Sequence, residues 1–384
     1  MTKKILSIIT YILIIFNSNL FSDENDSVLK IGLLAPLTGE YKELGKSLLY
    51  SLQLALKEID DKNVLIIPRD SGFGDANKLH DAVKEIRSQG ANIIIGPINY
   101  EDFSEVKKYN DTVFISPSNI NPEFQNNVIS IGVSLESQMI ALNKFIKKQK
   151  KNKTVILIPK NQYTSMIEKK LKTLNLQNFK IFKYNPDPKV LTGEIEILTN
   201  YAQRKRNLKL RKKLFEDKED EESKKQLERL EQKYTLGSVN FDSVIIIDFG
   251  SSLKSVLTSL VFTDVDQKKV LFTTVNQWFD ESIFYENTVK SLYYPSVNYN
   301  EFKKYKNNYF KSFNSHPNEI TILAYDAIGL IYYTWKKNGK INSVSDFNFK
   351  SKIKGKIGTF SFKNKRTLQD LNIYKTKNNK FVKF

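Results

Sequence analysis

VLKIGLLAPLTG, residues 28–39, is a short apolar run that ends in Ala35-Pro36 and a Thr38-Gly39 turn. An apolar run of this length, closed by turn residues, predicts a buried β-strand. Apolar residues then recur at helical spacing from Leu44 to Ile59, which predicts an amphipathic helix. The stretch therefore opens a strand–helix unit.

The same alternation continues along the chain. Val64–Ile67 and Ile93–Ile95 are predicted strands, and the spacing from Leu79 to Ile86 predicts the helix between them. Strands that alternate with helices through short connections predict a doubly wound parallel sheet. The pattern restarts with a helix at Met139–Ile146 and a strand at Val155–Ile158. We therefore predict an α/β protein with two such lobes.

Composition is compatible with two lobes and gives no sign of a nucleic-acid partner. The 384 residues include 60 Lys and Arg against 42 Asp and Glu, a formal net charge of +18. The positive charge is spread over nearly the whole chain, and no Arg-rich stripe alternates with stacking aromatics. Lys, Asn, Ile, Phe and Tyr are abundant together, which indicates a codon bias. We expect no nucleic-acid binding.

The N-terminus predicts export. Lys3 and Lys4 precede a largely apolar run from Ile5 to Phe16, and small polar residues follow up to Ser22. This order is typical of a secretory signal peptide, here residues 1–22. The run is short for a bilayer span, so we expect no membrane span after cleavage. Because the sequence contains no cysteine, we expect a periplasmic protein that is not a lipoprotein.

A charged insertion, residues 196–236, interrupts the α/β rhythm. Seven of the ten residues from Arg204 to Lys213 are basic, and six of the seven from Glu216 to Glu222 are acidic. Leucines at helical spacing predict a long helix or helical hairpin. Two interpretations remain open: a solvated, salt-bridged arm, or an arm that docks another protein.

No catalytic pattern is present in the sequence. The two histidines, His80 and His316, belong to no HExxH or nucleophile-elbow motif, and no GxxxxGK phosphate loop occurs. We therefore predict no catalytic residue, no metal site and no cofactor, and a protein that is not an enzyme.

Polar and aromatic side chains follow the predicted strands, where ligands of doubly wound sheets bind. The alternative is that they only satisfy turns and helix starts. The candidate cleft residues are Asn99, Tyr100, Ser116, Ser118, Asn119, Tyr163, Gln277 and Trp278.

Several segments, taken in order, resemble the leucine-binding-protein family of type I periplasmic binding proteins. They are Lys30 to Gly39, Ile95-Gly96-Pro97, Ser116-Pro117-Ser118 with Asn121-Pro122-Glu123, and Leu323 to Ala327. The resemblance implies two lobes joined by three hinge crossings that close on a ligand. It implies a first lobe of 28–133 plus 275–340 and a second of 134–274 plus 341–384, with the insertion 196–236 in the second.

The sequence departs from the amino-acid binders of that family. They place a hydroxyl where this chain has Ile120, and they commonly hold the ligand amine with a carboxylate just after the last strand of the second lobe. Residues 273–279 contain no acid, and Asp280 is the first. A buried ammonium without a counter-charge costs several kcal/mol. Ser118 and Tyr163, in contrast, fit the pattern of the amino-acid binders.

A second branch of the family matches the insertion. Residues 196–236 and Gln277-Trp278-Phe279-Asp280 resemble alphaproteobacterial penicillin-binding-protein activators. This resemblance implies a docking protein that stimulates a peptidoglycan synthase. The alternative is the solute-binding component of an ABC importer, with a permease and a small amino-acid-like ligand as partners.

Overall fold

The structure is a computed structural model that describes residues 28–120, 126–174, 176, 178–282, 291–356, 358–363, 366–377 and 380–384. The predicted signal peptide, residues 1–22, and the predicted motif at 121–123 lie outside the described residues.

The first lobe is built on a five-stranded parallel sheet with the order β2-β1-β3-β4-β5. Its strands are β1 (Leu29–Ala35), β2 (Val64–Asp70), β3 (Ile93–Ile95), β4 (Val113–Ser116) and β5 (Val128–Ser130). β1 is apolar and buried along nearly its whole length, because helices cover both faces of the sheet. The helices between these strands are α1 (Lys42–Ile59), α2 (Ala76–Ser88) and α3 (Phe103–Val106), with a 3₁₀ turn at Tyr100–Asp102.

The second lobe repeats this strand order. The parallel strands of its sheet are β6 (Thr154–Pro159), β7 (Phe179–Tyr184), β8 (Ser243–Ile246), β9 (Leu271–Thr274) and β10 (Tyr293–Ser296). Their order, β7-β6-β8-β9-β10, matches that of the first sheet, and β14 (Asn372–Lys377) and β15 (Lys380–Lys383) extend it antiparallel. The helices of this lobe are α4 (Leu135–Lys148), α5 (Thr164–Thr173), α6 (Pro188–Leu198) and α9 (Gly250–Phe262).

The insertion forms a helical hairpin, and we call residues 196–236 the charged arm. Its helices are α7 (Tyr201–Glu216) and α8 (Glu221–Glu231). Acidic residues form the turn between them and the start of α8, where Asp220 accepts a hydrogen bond from the backbone N–H of Ser223 at 2.8 Å. Negative charge is favourable at this end of a helix.

The chain returns to the first lobe for its last two helices, α10 (Tyr299–Phe313) and α11 (Thr321–Asn338). Both pack against α1 around a buried hydroxyl cluster. The phenol of Tyr305 lies 2.5 Å from Oγ of Ser51 and 2.8 Å from Oγ1 of Thr321. The predicted fold class, two doubly wound α/β lobes with a charged helical insertion, is confirmed.

The structure moves one strand out of the predicted first lobe. β10 lies in the seven-stranded sheet beside β9 and β14, whereas the predicted boundaries placed residues 275–340 in the first lobe. The crossing between the lobes therefore follows β10, at residues 297–298. The strand was missed because Tyr-Tyr-Pro-Ser lacks the aliphatic run that marks the other strands.

The segment 341–371 also differs from the predicted division. It contains a 3₁₀ turn at Val344–Phe347 and a separate sheet of β11 (Ile353–Lys354), β12 (Thr359–Lys363) and β13 (Arg366–Asp370). β13 contacts β5 of the first lobe and α4 of the second. This small sheet therefore joins the two lobes instead of extending one of them.

Candidate functional site

The loop after β1 is fixed by the end of its neighbouring strand. Asp70, the last residue of β2, accepts hydrogen bonds from the backbone N–H of Leu37 at 2.9 Å and from the hydroxyl of Thr38 at 2.5 Å. Partial burial opposes ionisation, but the hydrogen bonds from Thr38, Leu37 and Gly72 outweigh it and lower the pKa of Asp70. The loop at the mouth of the first lobe is thereby held by an ionised carboxylate.

The hydroxyls predicted after β4 are used inside their own loop. The hydroxyl of Ser116 donates to the carbonyl of Pro97 at 2.6 Å and accepts from the N–H of Ser118. The hydroxyl of Ser118 donates to the carbonyl of Ile120 at 3.0 Å and accepts from its N–H at 3.2 Å. These contacts stabilise a turn, so a ligand would have to displace them.

Asn119 fastens the same loop to the first crossing between the lobes. Its Oδ1 accepts from the N–H of Val133 at 2.8 Å, and the hydroxyl of Ser130 donates to the carbonyl of Ser118. The backbones approach so closely that a Cβ on Gly132 would overlap the carbonyl oxygen of Ser118. Glycine is therefore required at position 132, and Asn119 acts here as a hinge contact.

Asn99 and Tyr100 begin the 3₁₀ turn after β3. The side chain of Asn99 accepts from the N–H of Glu101 at 3.2 Å, while the half-buried ring of Tyr100 packs against the core of the first lobe. Burial raises the pKa of Tyr100, and the charge of Glu101 and the phenol of Tyr163 raise it further. Tyr163 of the second lobe thus lies near enough to Tyr100 for its charge, when ionised, to raise the pKa of Tyr100.

Gln277 and Trp278 follow β9, and the side-chain N–H groups of Gln277 are used within the protein. The buried amide of Gln277 donates to the carbonyls of Asp248 at 3.0 Å and Val275 at 3.2 Å. Trp278 and Phe279 both adopt positive φ angles, 48° and 61°. This turn inserts Phe279 between aromatic rings of β10, α10, β14 and β15. Those rings belong to Tyr294, Tyr299, Phe302, Tyr374 and Phe381.

A buried hydrogen-bond network at the crossings was missed in the sequence. Gln138 accepts from the N–H of Asn276 at 2.8 Å and donates to the carbonyl of Val133 at 2.8 Å. The side-chain oxygen of Asn276 accepts from the hydroxyl of Ser296 at 2.8 Å. Two crossings between the lobes are therefore joined by neutral amides and a hydroxyl, residue types that give no signal by spacing.

Asp102 differs from the other polar groups near the cleft. The side chain is almost fully buried, and its Oδ2 has no hydrogen-bond partner among the residues that the structure describes. Burial raises the pKa of Asp102 to about 6; the N–H of Gly74 opposes this rise, and the charges of Glu101 and Glu105 add to it. The cleft loops thus contain one carboxyl that changes its charge near neutral pH.

Within the described part of the chain, no group of three or more His, Asp or Glu side chains is placed to hold a metal ion. His80 contacts the phenol of Tyr109 and the carboxylate of Glu105, both at 3.1 Å. His316 is exposed and stacks on Phe310. No helix among the described residues is both long and apolar enough to span a membrane.

The base of the charged arm is anchored by a buried arginine. Arg204 donates to the carbonyl of Thr263 at 3.0 Å, to the carbonyl of Asp264 at 2.6 Å and to the hydroxyl of Thr235 at 2.7 Å. Its guanidinium also lies 3.8 Å from the carboxylate of Asp264. The arm is therefore tied to the end of α9 at a defined angle.

The outward side of α7 carries charges without counter-charges. In the described residues, no salt bridge within 4.0 Å involves the six exposed or half-exposed cations of this helix, which are Lys205, Arg206, Lys209, Arg211, Lys212 and Lys213. Leu210 and Leu214, one turn apart, are 57% and 58% exposed. The salt bridges expected along the arm are therefore not formed by these six cations, although the neighbouring helix α8 carries Glu228 and Glu231. The choice between a solvated arm and a docking arm stays a prediction.

Comparison with known proteins agrees with this architecture. Residues 28–167 match the sequence family described as periplasmic binding protein. The C-domain of LpoA from Haemophilus influenzae, described as a regulator of PBP1A, has a TM-score of 0.61 at 12% identity, covering 92% of this chain and 99% of that chain. A search of curated protein sequences found no significant match.

Solute-binding proteins are similar as well. The substrate-binding protein LivJ of Streptococcus pneumoniae, in complex with isoleucine, has a TM-score of 0.52 at 16% identity and covers 93% of this chain and 100% of that chain. A putative branched-chain amino acid ABC transporter from Rhodospirillum rubrum has a TM-score of 0.67 at 11% identity, with coverages of 93% and 100%. The fold is that of the type I periplasmic binding proteins, whose structures include both regulatory and solute-binding members.

Proposed function

We propose that this is a non-enzymatic periplasmic protein that docks onto a penicillin-binding protein and activates its synthesis of peptidoglycan. The observation that carries the proposal is the charged arm, which presents six cations that form no salt bridge in the described part of the chain, next to two exposed leucines.

The anchor at Arg204 supports a docking role because it fixes the arm before any partner arrives. A side chain that donates to Thr263, Asp264 and Thr235 holds the start of α7 against the second lobe. A preorganised surface loses less conformational entropy on association than a mobile one. The arm therefore suits recognition better than a solvated, unanchored extension would.

The chemistry of α7 indicates the kind of surface that fits it. Unpaired Lys and Arg side chains complement an acidic patch and speed encounter with it, and exposed leucines provide apolar contact at its centre. We infer that the docking site on the synthase is acidic with a small apolar centre.

The likeness to the LpoA C-domain supports the same assignment, since that protein is described as a regulator of PBP1A. The cleft loops agree with a docking role as well. Ser116, Ser118, Asn119 and Gln277 use polar groups in hydrogen bonds within the protein, to Pro97, Ile120, Val133 and Asp248.

The test is binding of the purified mature protein to purified penicillin-binding proteins of the source bacterium. Lys209→Glu with Lys213→Glu reverses two cations beside Leu210 and Leu214. Loss of about 2 kcal/mol of binding free energy, roughly thirtyfold in Kd, is expected from close charge pairs across an interface. Stimulation of glycan-chain synthesis by the variant should fall in parallel.

The matched control is Lys303→Glu with Lys311→Glu on α10, which changes the net charge by the same amount on exposed residues of the first lobe. This double variant should bind the penicillin-binding protein as tightly as the unaltered protein does. Equal weakening by both pairs would mean that net charge alone acts, and an unaffected Lys209/Lys213 variant would remove the arm from the interface.

The alternative function, solute binding for an ABC importer of amino acids, is favoured by one observation. Tyr163 lies near enough to Tyr100 to affect its pKa, and aromatic rings from two lobes suit a small ligand between them. A thermal-shift screen against amino acids, small peptides and muropeptide fragments separates the two functions. A ligand at about a hundred times its Kd stabilises a protein by about 2.7 kcal/mol. A shift with one class of amino acids favours the importer, whereas a flat panel favours the docking protein.

A further inference from the structure

A cavity of about 470 Å³ lies apart from the charged arm, between α1, α11, the first crossing at Ile131 and the strands β11 and β12. Its volume falls in the range of sites that enclose small molecules. The apolar part of its lining includes Ala55, Ile59, Ile131, Ile328, Leu330, Tyr333, Ile353 and Phe360. The cavity therefore offers an apolar interior for a hydrocarbon body.

A glycine in the middle of α11 contributes to this space. Gly329 lines the cavity, and a Cβ placed on it would meet no atom within 4 Å. Glycine in a helix interior costs about 1 kcal/mol relative to alanine. Since no close approach of backbone requires glycine at this position, its local effect is to leave the cavity wider.

The mouth of the cavity carries three lysines, and two of them have partners. Lys352 lies 2.6 Å from the carboxylate of Asp370, and Lys356 contacts the carboxylate of Glu58. The ammonium of Lys354 makes no hydrogen bond or salt bridge within 4.0 Å with any residue that the structure describes, and its charge contributes only at longer range to lowering the pKa of Glu301. One ammonium group at the mouth is therefore available to an anion.

We propose that this cavity binds a small amphipathic carboxylate, with its hydrocarbon chain among the apolar residues and its carboxylate on Lys354. The apolar chain gains by leaving water, and the carboxylate gains a charge-assisted hydrogen bond. The buried carboxylate of Asp326 already accepts from the N–H of Lys356 at 2.6 Å, so the ligand's anion belongs at the mouth and not at the base.

The position of the cavity gives this ligand a structural consequence. β11 and β12 belong to the small sheet that joins the two lobes. In the same sheet, the N–H of Gln369 on β13 donates to the hydroxyl of Ser137 on α4 at 3.0 Å. A ligand that contacts both α11 and β11 would hold this connection against the first lobe. Binding should therefore raise the melting temperature of the whole chain.

The experiment measures binding of decanoate to the full chain by calorimetry and thermal shift, with decanol, decyltrimethylammonium and inorganic phosphate as matched probes. Decanoate should bind and raise the melting temperature, and the other three probes should bind at least tenfold more weakly. Phosphate binding as tight as that of decanoate would overturn the proposal, because it would indicate a plain anion site. Decanol binding as tight as that of decanoate would also overturn the proposal, because it would show that the carboxylate contributes nothing.

Two variants locate the site. Lys354→Gln should weaken decanoate binding at least tenfold, while Lys350→Gln, a neighbouring exposed lysine, should leave it unchanged. Gly329→Leu fills the cavity and should abolish decanoate binding without lowering the melting temperature. Gly329→Ala should keep most of the decanoate binding. Absence of decanoate binding to the unaltered protein would overturn the proposal. Binding of decanoate by Lys354→Gln and Gly329→Leu as tight as by the unaltered protein would overturn it as well.

Discussion

The cleft loops and the charged arm use their polar groups in opposite ways. In the cleft, hydroxyls and amides of residues such as Ser118 and Gln277 bond to nearby backbone groups. On the arm, one buried cation, Arg204, makes several of the anchoring contacts, and its neighbours on α7 make no salt bridge in the described part of the chain. Polar residues in loops thus stabilise turns and crossings, whereas charges on α7 remain available to a partner.

This difference bears on function because a satisfied polar group gains little from a ligand. Displacing an internal hydrogen bond offsets most of what the new bond contributes. An unpaired surface cation carries no such penalty and gains from an acidic partner. Each prediction below tests one side of the comparison.

The largest expected effect is at the base of the arm. Arg204→Met leaves the carbonyls of Thr263 and Asp264 and the hydroxyl of Thr235 without their donor. Removal of a buried, hydrogen-bonded charge should lower the free energy of unfolding by about 3 kcal/mol, measured by urea denaturation. Lys205→Met, on the exposed side of the same helix, should change it by less than about 0.5 kcal/mol. Equal effects would show that Arg204 is not an anchor.

The second effect concerns Asp102, the cleft carboxyl with an unpartnered oxygen. Its pKa is about 6 in the folded protein against an ordinary value of 3.8. The folded state therefore binds the proton more tightly, and the stabilisation that this provides at acid pH is lost as pH rises from about 4 through 6. Asp102→Asn should raise the free energy of unfolding at pH 7.5 by about 2 kcal/mol and flatten this pH dependence.

Asp217→Asn, an exposed carboxyl on the arm, provides the control for that measurement. Urea denaturation between pH 4 and pH 8 should give parallel curves for this variant and the unaltered protein. If Asp102→Asn also gave a parallel curve, Asp102 would be ionised in the folded protein like a surface carboxyl.

The third effect tests the aromatic pair across the cleft. If the cleft binds an amino acid, Tyr163→Ala should weaken calorimetric binding about tenfold or more, which is what loss of one well-placed contact costs. Tyr234→Ala, on an exposed ring of the arm, should leave affinity unchanged. An affinity that Tyr163→Ala does not alter would reject the proposed site.

The smallest effect is at Ser118. Because its hydroxyl bonds to both backbone groups of Ile120, Ser118→Ala should cost about 1 kcal/mol of unfolding free energy with no ligand present. Ser251→Ala, at an exposed position of α9, should be nearly neutral. A neutral Ser118→Ala would mean that this hydroxyl contributes nothing to the loop and is free for a ligand.

Local patterns predicted most of the elements. Ile93–Ile95 was predicted as a strand with the bounds that the structure has, and the periodicity from Leu44 to Ile59 identified α1. Such signals depend on residues a few positions apart. They failed for β10, whose Tyr-Tyr-Pro-Ser sequence is stabilised as a strand by its place beside β9 and β14.

The candidate site was predicted less well. Strand ends are visible in the sequence, but the hydrogen-bond partners of the polar groups that follow them are not, and the role of these residues in binding stays a prediction. Gln138 and Asn276, which join two crossings, are 138 residues apart. Nothing in the spacing of two neutral amides indicates that they meet.

The sequence by itself determined the order of strands and helices, hence two α/β lobes and a charged helical arm, because hydrophobic periodicity acts between near neighbours along the chain. Only the tertiary structure decided which residue of each kind has a partner. Arg204 and Lys205 are adjacent in a basic run, yet one is buried against residues about 60 positions away and the other is exposed. The cavity beside Gly329 arises in the same way, from three segments that packing alone brings together.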